Sequence, residues 1–381
     1  MLIFFSVFFA VYAAINYYIF IRGWQALTIF PHLKIIYLIV FLFISLSYII
    51  SKFLTDRLSS FLYDALQWIG SFWFAFMLYF VLSIVLLDIL RLLNNFFSIF
   101  PVSILNNYEV WKFGTFIAVI VLSSCIAAAG YINTRILTVK NLDIILDKRS
   151  SPLKELRIVS FADIHLTTMN NEKFLSRIID KTNSLNPDIV LIPGDFVDEK
   201  SDWLDSRGIG ESFFRIKSKY GTYACTGNHE YIVGIKDASK FIREHDIKLL
   251  QDELVMIDSA FYIAARDDRS KKQFTGELRK PLNEILTGRN ENLPVILMDH
   301  TPFGLEEAEQ NNVDLQLSGH THHAQMWPLN YITQMIYEKD WGYLKKGKTQ
   351  YYVTCGIGTW GPPVRTGSRT EIVNIKVKFR Q

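Results

Sequence analysis

The sequence has few cysteines and little net charge, and each fact excludes a class of protein. Its 381 residues include three cysteines, Cys125, Cys225 and Cys355, which lie far apart without a Cys-x-x-Cys spacing. They suggest neither a disulfide framework nor a zinc knuckle, which fits a reducing compartment. The net charge is only +3, and no run of basic residues could follow a phosphate backbone. We therefore expect no nucleic-acid partner.

Charge is scarce in the first third of the chain, which is rich in Phe, Ile, Leu and Tyr, and it becomes ordinary from about Lys148 onward. A bilayer span needs about 20 apolar residues, and four segments meet this length: 2–21, 35–54, 66–87 and 113–131. The first lacks a basic n-region and is too long for an ordinary signal-peptide core, so we interpret it as a retained helix. The sequence therefore predicts a transmembrane helical domain over residues 1–133 and a second domain over residues 134–381.

The predicted spans lack charge at their centres, since Asp88 and Arg91 come only at the end of the third. Transporters and proton relays usually carry ionisable groups at depth, so we expect an anchor or a lipid-binding platform. The segment 92–100 after the third span is aromatic and precedes Pro101. We expect it to lie along the membrane interface; an extension of the third helix is the alternative.

Four spans place both ends of the chain on one side of the membrane. The basic residues that flank the spans on that side are Lys52, Arg57, Arg135, Lys140, Lys148 and Arg149, against Arg22, Lys34, Arg91 and Lys112 on the other. This bias predicts a multi-pass protein of the inner (cytoplasmic) membrane with its second domain in the cytoplasm. No Gly/Ser-rich or Pro-rich linker precedes the strand-like residues 135–139, so the second domain is expected close to the bilayer.

Polar motifs follow five short apolar runs in the second domain. The runs have the character of buried strands and comprise residues 157–161, 188–192, 222–225, 294–298 and 314–317. The motifs are Asp-Ile-His at 163–165, Gly-Asp at 194–195, Gly-Asn-His-Glu at 227–230, Asp-His at 299–300 and Gly-His-Thr-His at 319–322. Open α/β sheets build sites beyond the carboxyl ends of their strands, so we expect one site assembled from five loops.

Seven residues in these motifs offer oxygen or imidazole ligands: Asp163, His165, Asp195, Asn228, His300, His320 and His322. Divalent ions such as Mn²⁺, Fe²⁺ or Zn²⁺ accept this mixture, whereas a thiolate site would need cysteines. Seven ligands are too many for one ion and suit two ions that share a bridging carboxylate. Two ions about 3.5–4 Å apart can stabilise both the attacking and the leaving oxygen of a phosphoryl group.

Together and in order, the motifs resemble those of the calcineurin-like metallophosphoesterases, and the resemblance covers about residues 155–379. It implies an α/β fold in which the transmembrane helices are followed by a β-sandwich of two mixed sheets flanked by helices. It also implies two divalent ions, with Mn²⁺ favoured over Fe, Zn or Mg. Asp195 would bridge two ligand sets, which are Asp163, His165 and His322 for the first ion and Asn228, His300 and His320 for the second.

The same resemblance implies catalytic roles for residues that are not ligands. His229 is similar to the family's histidine that faces the phosphate as a general acid or charge stabiliser, and Asp198 matches the acidic residue that orients it. The nucleophile would be a hydroxide held by the metals, so no serine or cysteine nucleophile is required. Arg365 could clamp a phosphate or pair with a carboxylate, and His323 could contact the substrate or be structural.

The sequence leaves three functions open, and it leaves the oligomeric state open as well. The first is hydrolysis of a lipid-linked phosphodiester or diphosphate, because residues 330–348 form an apolar insertion in which Trp341 and Tyr343 could contact the substrate. This architecture resembles the UDP-2,3-diacylglucosamine pyrophosphatases of lipid A biosynthesis, which release UMP. The second is hydrolysis of soluble nucleotides or phosphoproteins by a tethered enzyme. The third is a non-enzymatic membrane receptor with a vestigial site.

Overall fold

The computed structural model describes residues 2–147 and 151–380. Lys148 and Arg149, which contribute to the predicted orientation, lie outside the described residues. The chain divides into two compact units, Met1–Ile132 with Gly361–Val364 and Asn133–Trp360 with Arg365–Gln381.

The first unit is helical, as its long apolar segments predict. Four long helices, α1 (Leu2–Ala26), α2 (Leu33–Phe53), α3 (Ser60–Phe97) and α5 (Tyr108–Thr134), are joined by the short α4 (Val102–Asn106) and the 3-10 turns Leu27–Ile29 and Thr55–Arg57. Each long helix is apolar and long enough to cross a membrane by length and composition. The prediction of four long apolar helices is therefore confirmed.

The third helix is longer than a span requires. It has 38 residues and continues to Phe97, where Ser98 turns into the left-handed region with φ 49°. The prediction that residues 92–100 lie apart from α3 along the interface is therefore wrong for residues 92–97, which extend the helix. Nothing in this stretch breaks a helix before Pro101, because leucine, asparagine and phenylalanine all tolerate helical backbone.

Helices α1 to α3 are held together by close packing and by a buried polar contact. The indole Nε1 of Trp73 donates to Oδ1 of Asn16 at 2.9 Å, which satisfies both groups in apolar surroundings. Gly70 lets α3 approach α2 so closely that a Cβ there would overlap the backbone of Tyr48.

The second unit contains two six-stranded sheets over its described residues. The first sheet has the order β1–β12–β2–β3–β4–β5 and the second the order β10–β11–β9–β8–β7–β6. The strands are β1 (Leu137–Leu146), β2 (Glu155–Ser160), β3 (Ile189–Pro193), β4 (Thr222–Cys225), β5 (Lys248–Leu249), β6 (Glu253–Ile257), β7 (Phe261–Ala265), β8 (Val295–Met298), β9 (Leu315–Ser318), β10 (Gly342–Lys346), β11 (Thr349–Val353) and β12 (Thr370–Phe379).

Both sheets are mixed, as predicted. In the first, β2 to β5 are parallel, while β12 runs antiparallel to β2 and parallel to β1. In the second, β7, β8, β9 and β11 are parallel, and β6 and β10 are antiparallel edge strands. Residues 171–185 form a helix that joins β2 to the parallel β3, which is the predicted βαβ unit.

Buried apolar side chains fill the space between the sheets, where Ile158 and Leu191 of the first pack with Ile263 and Ile296 of the second. On the outer faces, α6 (Glu172–Ser184), α7 (Ser201–Asp205) and α9 (Ile235–Glu244) pack on the first sheet, and α11 (Leu282–Ile285) and α12 (Glu306–Gln310) pack on the second. The other short helices are α8 (Asn228–Val233), α10 (Lys271–Thr275) and α13 (Asn330–Ile336), with the 3-10 turns Glu211–Arg215 and His322–Ala324. The result is the predicted sandwich of two mixed sheets flanked by helices.

Candidate metal centre

The predicted ligands lie on loops that leave the carboxyl ends of β2, β3, β4, β8 and β9. Five of the seven have left-handed backbone, with φ between 48° and 72°: Asp163, His165, Asp195, His320 and His322. Side chains other than glycine rarely adopt this region, and such positions cluster at functional sites. The strained backbone therefore marks the loops that aim these side chains inward.

Two glycines allow the loops to come close enough to share one site. A Cβ on Gly319 would lie 2.7 Å from Oδ2 of Asp163, and a Cβ on Gly227 would overlap the carboxylate of Asp195. Only glycine fits at these two positions, because a side chain of a neighbouring loop occupies the space that a Cβ would need.

The structure brings all seven predicted ligands together in two groups. In the first, Nε2 of His165 and Nε2 of His322 are 3.0 Å apart, and Oδ1 of Asp163 lies 4.0 Å from Nε2 of His322. In the second, Nε2 of His300 lies 3.1 Å from Oδ2 of Asp195. Oδ1 of Asn228 lies 2.8 Å from Nδ1 of His320 and 3.2 Å from Nε2 of His300.

Asp195 lies between these two groups. Its Oδ2 is 3.8 Å from Nε2 of His165 in the first group, besides its contact with His300 in the second. Three sets of ligand atoms within 4.8 Å of one another can be drawn, and Asp195 belongs to two of them. A carboxylate in this position can serve two cations at once.

One buried atom without a hydrogen-bond partner indicates that the predicted ligands fit divalent cations. Oδ2 of Asp163 is buried and has no hydrogen-bond partner among the described residues. A buried charged oxygen without a partner is costly, and a cation would satisfy it. The oxygen and imidazole ligands suit a borderline metal but do not select one.

The electrostatics of the two carboxylates differ. Burial raises the pKa of Asp163 above its ordinary value. Burial acts the same way on Asp195, but the positive charges of His300 and His229 outweigh it and hold the pKa of Asp195 well below its ordinary value. Asp195 is therefore a carboxylate at neutral pH, as a bridging ligand must be.

Next to the first group lies a pair that the sequence predicts to be catalytic. Oδ1 of Asp198 is 2.7 Å from Nδ1 of His229 and 2.7 Å from Nδ1 of His165. Burial lowers the pKa of His229, but Asp198 and Asp195 outweigh it and raise the pKa to about 9. His229 is thus cationic at neutral pH, with a proton to give or a charge to offer.

Glu230, the residue after His229, holds two of the loops in place. Its buried carboxylate accepts from the backbone N–H groups of Asp195 at 3.0 Å, Phe196 at 2.7 Å and Gly227 at 2.7 Å. These bonds tie the loop after β3 to the loop after β4. Glu230 therefore fixes the bridging carboxylate rather than reaching a substrate.

Arg365 does not lie where the predicted phosphate clamp requires it. Its side chain is fully buried, and its guanidinium donates to the carbonyls of Cys355 at 2.8 Å and Gly358 at 2.5 Å. Nη2 also lies 3.2 Å from Nδ1 of His322. Backbone carbonyls and a predicted ligand therefore surround the guanidinium; a positioning role behind His322, in place of a substrate contact, is the prediction that this geometry favours.

Replacing Arg365 by methionine is expected to lower the free energy of unfolding by roughly 3 kcal/mol, because several buried carbonyls lose their donor. For a domain of this size the unfolding midpoint would fall by about 6–12 °C, measured on the full chain with metal present. Arg369→Met is the control, since Arg369 is exposed. An unchanged unfolding midpoint together with reduced turnover would instead support the hypothesis that Arg365 clamps a phosphate.

The other predicted substrate contacts lie beside the site. Nε1 of Trp341 donates to Glu371 at 3.1 Å, and its ring lies 5.1 Å from that of His323. Tyr343 lies on the edge strand β10, and its hydroxyl donates to Gln350 at 2.9 Å. Contact of Trp341 and Tyr343 with a substrate remains a prediction. His323 itself is buried against Asp340, with 2.6 Å between Nδ1 and Oδ2.

Three aromatic residues around the site escape prediction from the sequence. Trp360 lies edge-on to His229, with ring centroids 6.0 Å apart. Tyr337 lies 6.1 Å from His320 and stacks on Phe303 at 4.5 Å. None of the three has a local sequence signal, because each is distant in sequence from the residue that it contacts.

Comparisons with known proteins agree with this geometry. The family model described as calcineurin-like phosphoesterase matches residues 156–324. A metallophosphoesterase of Aquifex aeolicus is 32% identical over 231 residues, which cover 59% of this chain and 85% of that protein. A metallophosphoesterase of Helicobacter pylori strain J99 is 32% identical over 243 residues, 63% of each chain.

A third relative also contains membrane-spanning sequence by its description. The "transmembrane protein with metallophosphoesterase domain" of Danio rerio is 30% identical over 275 residues, which cover 68% of this chain and 62% of that protein. The matched regions span less than two thirds of the Helicobacter and Danio proteins. With the family model, the relatives and the motif order in agreement, the chain belongs to the calcineurin-like metallophosphoesterases.

Proposed function

We propose that this protein is a membrane-bound dimetal phosphoesterase that hydrolyses a phosphodiester or diphosphate bond in a lipid-linked substrate. The ligand cluster supports the reaction class. The observation that supports a lipid-linked substrate is an exposed apolar helix attached to the loop of predicted metal ligands.

The mechanism follows from the charges and distances of the site. Two divalent cations, held by the seven predicted ligands, would supply activated water and would neutralise charge on the phosphoryl oxygens. Asp195 holds its negative charge between the two ligand groups. His229 is oriented by Asp198 at 2.7 Å, so it is placed to stabilise charge on the phosphoryl group or to protonate the leaving oxygen.

Helix α13 carries the apolar surface. Four large apolar side chains of this seven-residue helix are 48–79% exposed: Tyr331, Ile332, Met335 and Ile336. Trp327, just before the helix, is also more than half exposed. A contiguous patch of this kind usually marks a surface that binds a lipid or a protein.

This helix is linked to the predicted ligand loop through a chain of polar contacts. Oγ1 of Thr333 donates to Asp340 at 2.8 Å, and Asp340 binds His323, the neighbour of His322. Tyr337, directly after the helix, packs against His320. An acyl chain on α13 would therefore lie beside a phosphate held at the site.

The short connection between the two units also supports a substrate in the membrane, because only residues 135 and 136 separate α5 from β1. So short a tether keeps the second unit near the membrane, on the cytoplasmic face of an inner membrane in our proposal. We further propose that residues 1–133 anchor the phosphoesterase domain of residues 134–381. UDP-2,3-diacylglucosamine is the first substrate to test.

The decisive experiment compares three substrates on the full chain in detergent with Mn²⁺. They are UDP-2,3-diacylglucosamine, the unacylated UDP-N-acetylglucosamine and bis-(4-nitrophenyl) phosphate, with products identified by mass. We expect the double substitution Ile332→Ser and Met335→Ser to lower kcat/KM for the lipid at least tenfold, since apolar contact is lost. Hydrolysis of bis-(4-nitrophenyl) phosphate should stay unchanged.

The matched control is Met256→Ser, since Met256 is an exposed apolar residue on β6. Trp341→Ala and Tyr343→Ala belong on the same panel, with a selective loss for the lipid expected. Equal turnover of the acylated and unacylated compounds would favour the alternative, a tethered enzyme for soluble nucleotides or phosphoproteins. No hydrolysis and no bound metal would favour a receptor with a vestigial site.

A further inference from the structure

Within the first unit, α5 packs beside the other long helices and, together with them, borders a cavity. Aromatic contacts join it to them near its two ends: Phe113 with Phe30 and Phe116 with Tyr37 at one end, and Tyr131 with Trp68 and Phe72 at the other. Between these contacts, Val119, Ile120 and Ser124 of α5 face a cavity.

This cavity is long and apolar. Its volume is about 720 Å³, and its wall consists mainly of aromatic and aliphatic side chains of α1, α2, α3 and α5. Along α3 the lining runs from Trp68 to Arg91, which is about 35 Å at 1.5 Å per residue. That length is close to the roughly 30 Å thickness of a bilayer's hydrocarbon core.

Positive charge is concentrated at one end of the cavity. Three cations line it where α1 and α3 end and α5 begins, namely Arg22, Arg91 and Lys112, and no carboxylate is among the described residues of the lining. Arg22 and Arg91 share the single carboxylate of Asp88, at 2.6 and 3.0 Å. Lys112 pairs with Glu109 at 2.7 Å, so these three cations face two carboxylates and one positive charge is left over.

A second observation at this end also points to a missing acceptor. Nε of Arg22 is buried and has no hydrogen-bond partner among the residues that the structure describes. A buried donor without an acceptor costs about 1–3 kcal/mol. Phosphate oxygens are strong acceptors for arginine and lysine.

We propose that this cavity binds a membrane lipid with an acidic phosphate headgroup. The acyl chain would fill the apolar space beside α5, and the phosphate would accept from Arg22, Arg91 and Lys112. This site is independent of the metal centre, because every residue that lines it lies between Ile19 and Ser124. The lipid-binding proposal therefore does not depend on which substrate the metal centre hydrolyses.

The test measures lipid binding to the full chain in detergent by native mass spectrometry. The probes are phosphatidylglycerol and phosphatidylcholine with identical acyl chains, so only the headgroup charge differs. We expect phosphatidylglycerol to bind at least tenfold more tightly. The double substitution Arg91→Gln and Lys112→Gln should abolish the preference, whereas Arg57→Gln, in the turn between α2 and α3, should preserve it.

Two further variants keep the proposal testable if the double substitution misfolds. Arg91→Lys with Lys112→Arg retains both charges and should bind like the wild type. Ile120→Trp narrows the cavity beside α5 and should weaken the binding of both lipids at least tenfold. Equal affinity for the two lipids in the wild type, unchanged binding in the Ile120→Trp variant, or displacement of the lipid by soluble glycerol 3-phosphate would overturn the proposal.

Discussion

Replacing Asp195 by alanine is expected to abolish hydrolysis, with a loss of at least about 10³-fold in kcat. The carboxylate lies between the two ligand groups, at 3.1 Å from His300 and 3.8 Å from His165. Without it, two cations lack a shared negative charge, and their mutual repulsion is no longer offset. Metal content measured on the purified chain should fall from two ions to one or none.

The backbone at this position calls for a second variant and a matched control. Asp195 has φ 56°, where alanine is strained and asparagine is tolerated, so Asp195→Asn separates the charge from the conformation. Asp258 also has a left-handed backbone, with φ 51°, and is exposed. Asp258→Ala therefore imposes the same strain without touching a ligand. Two bound ions retained in Asp195→Ala would contradict the bridging role.

Replacing His229 by asparagine is expected to leave both ions in place and to lower kcat by about 10²–10⁴-fold, the usual contribution of a positioned acid or base. His229 is cationic because Asp198 and Asp195 raise its pKa to about 9. The variant removes that charge and proton but none of the seven predicted ligands. Parallel measurements of metal content and kcat check this separation.

Asp198→Asn distinguishes two roles for the same carboxylate. Since Asp198 contacts both His229 and His165 at 2.7 Å, its loss should reduce metal affinity by about 10–100-fold as well as turnover. His32→Asn serves as the control for His229, because His32 is exposed and lies in the first unit. If His229→Asn turns over like the wild type, His229 takes no part in the reaction.

The strands and the gathering of the ligands could be predicted because both are local properties of the sequence. Each apolar run ends in a polar motif, and parallel strands present their carboxyl ends at one edge, so Asp163 and Asp195 must meet at the edge of the first sheet and His300 and His320 at the edge of the second. The glycines that precede the ligands could also be predicted from the sequence, because the close approach of two loops requires glycine.

Other features depend on contacts between distant residues and leave no local pattern. The burial of Arg365 depends on carbonyls ten or fewer residues away together with His322, which is 43 residues distant. The pairing of His323 with Asp340 across 17 residues has no periodicity to reveal it. The end of α3 at Phe97 also leaves no local signal, because aromatic composition does not distinguish an interfacial segment from a helix extension.

The position of β12 in the first sheet has a consequence for biosynthesis. Strand β1 begins directly after the last membrane helix, yet its hydrogen-bonded neighbour starts at Thr370, which pairs with Leu137 across 233 residues. A ribosome must therefore synthesise most of the catalytic domain before that strand can pair. During this interval β1 exposes an open edge beside the translocation machinery. Nascent chains stalled before Thr370 should accordingly be chaperone-bound and sensitive to protease.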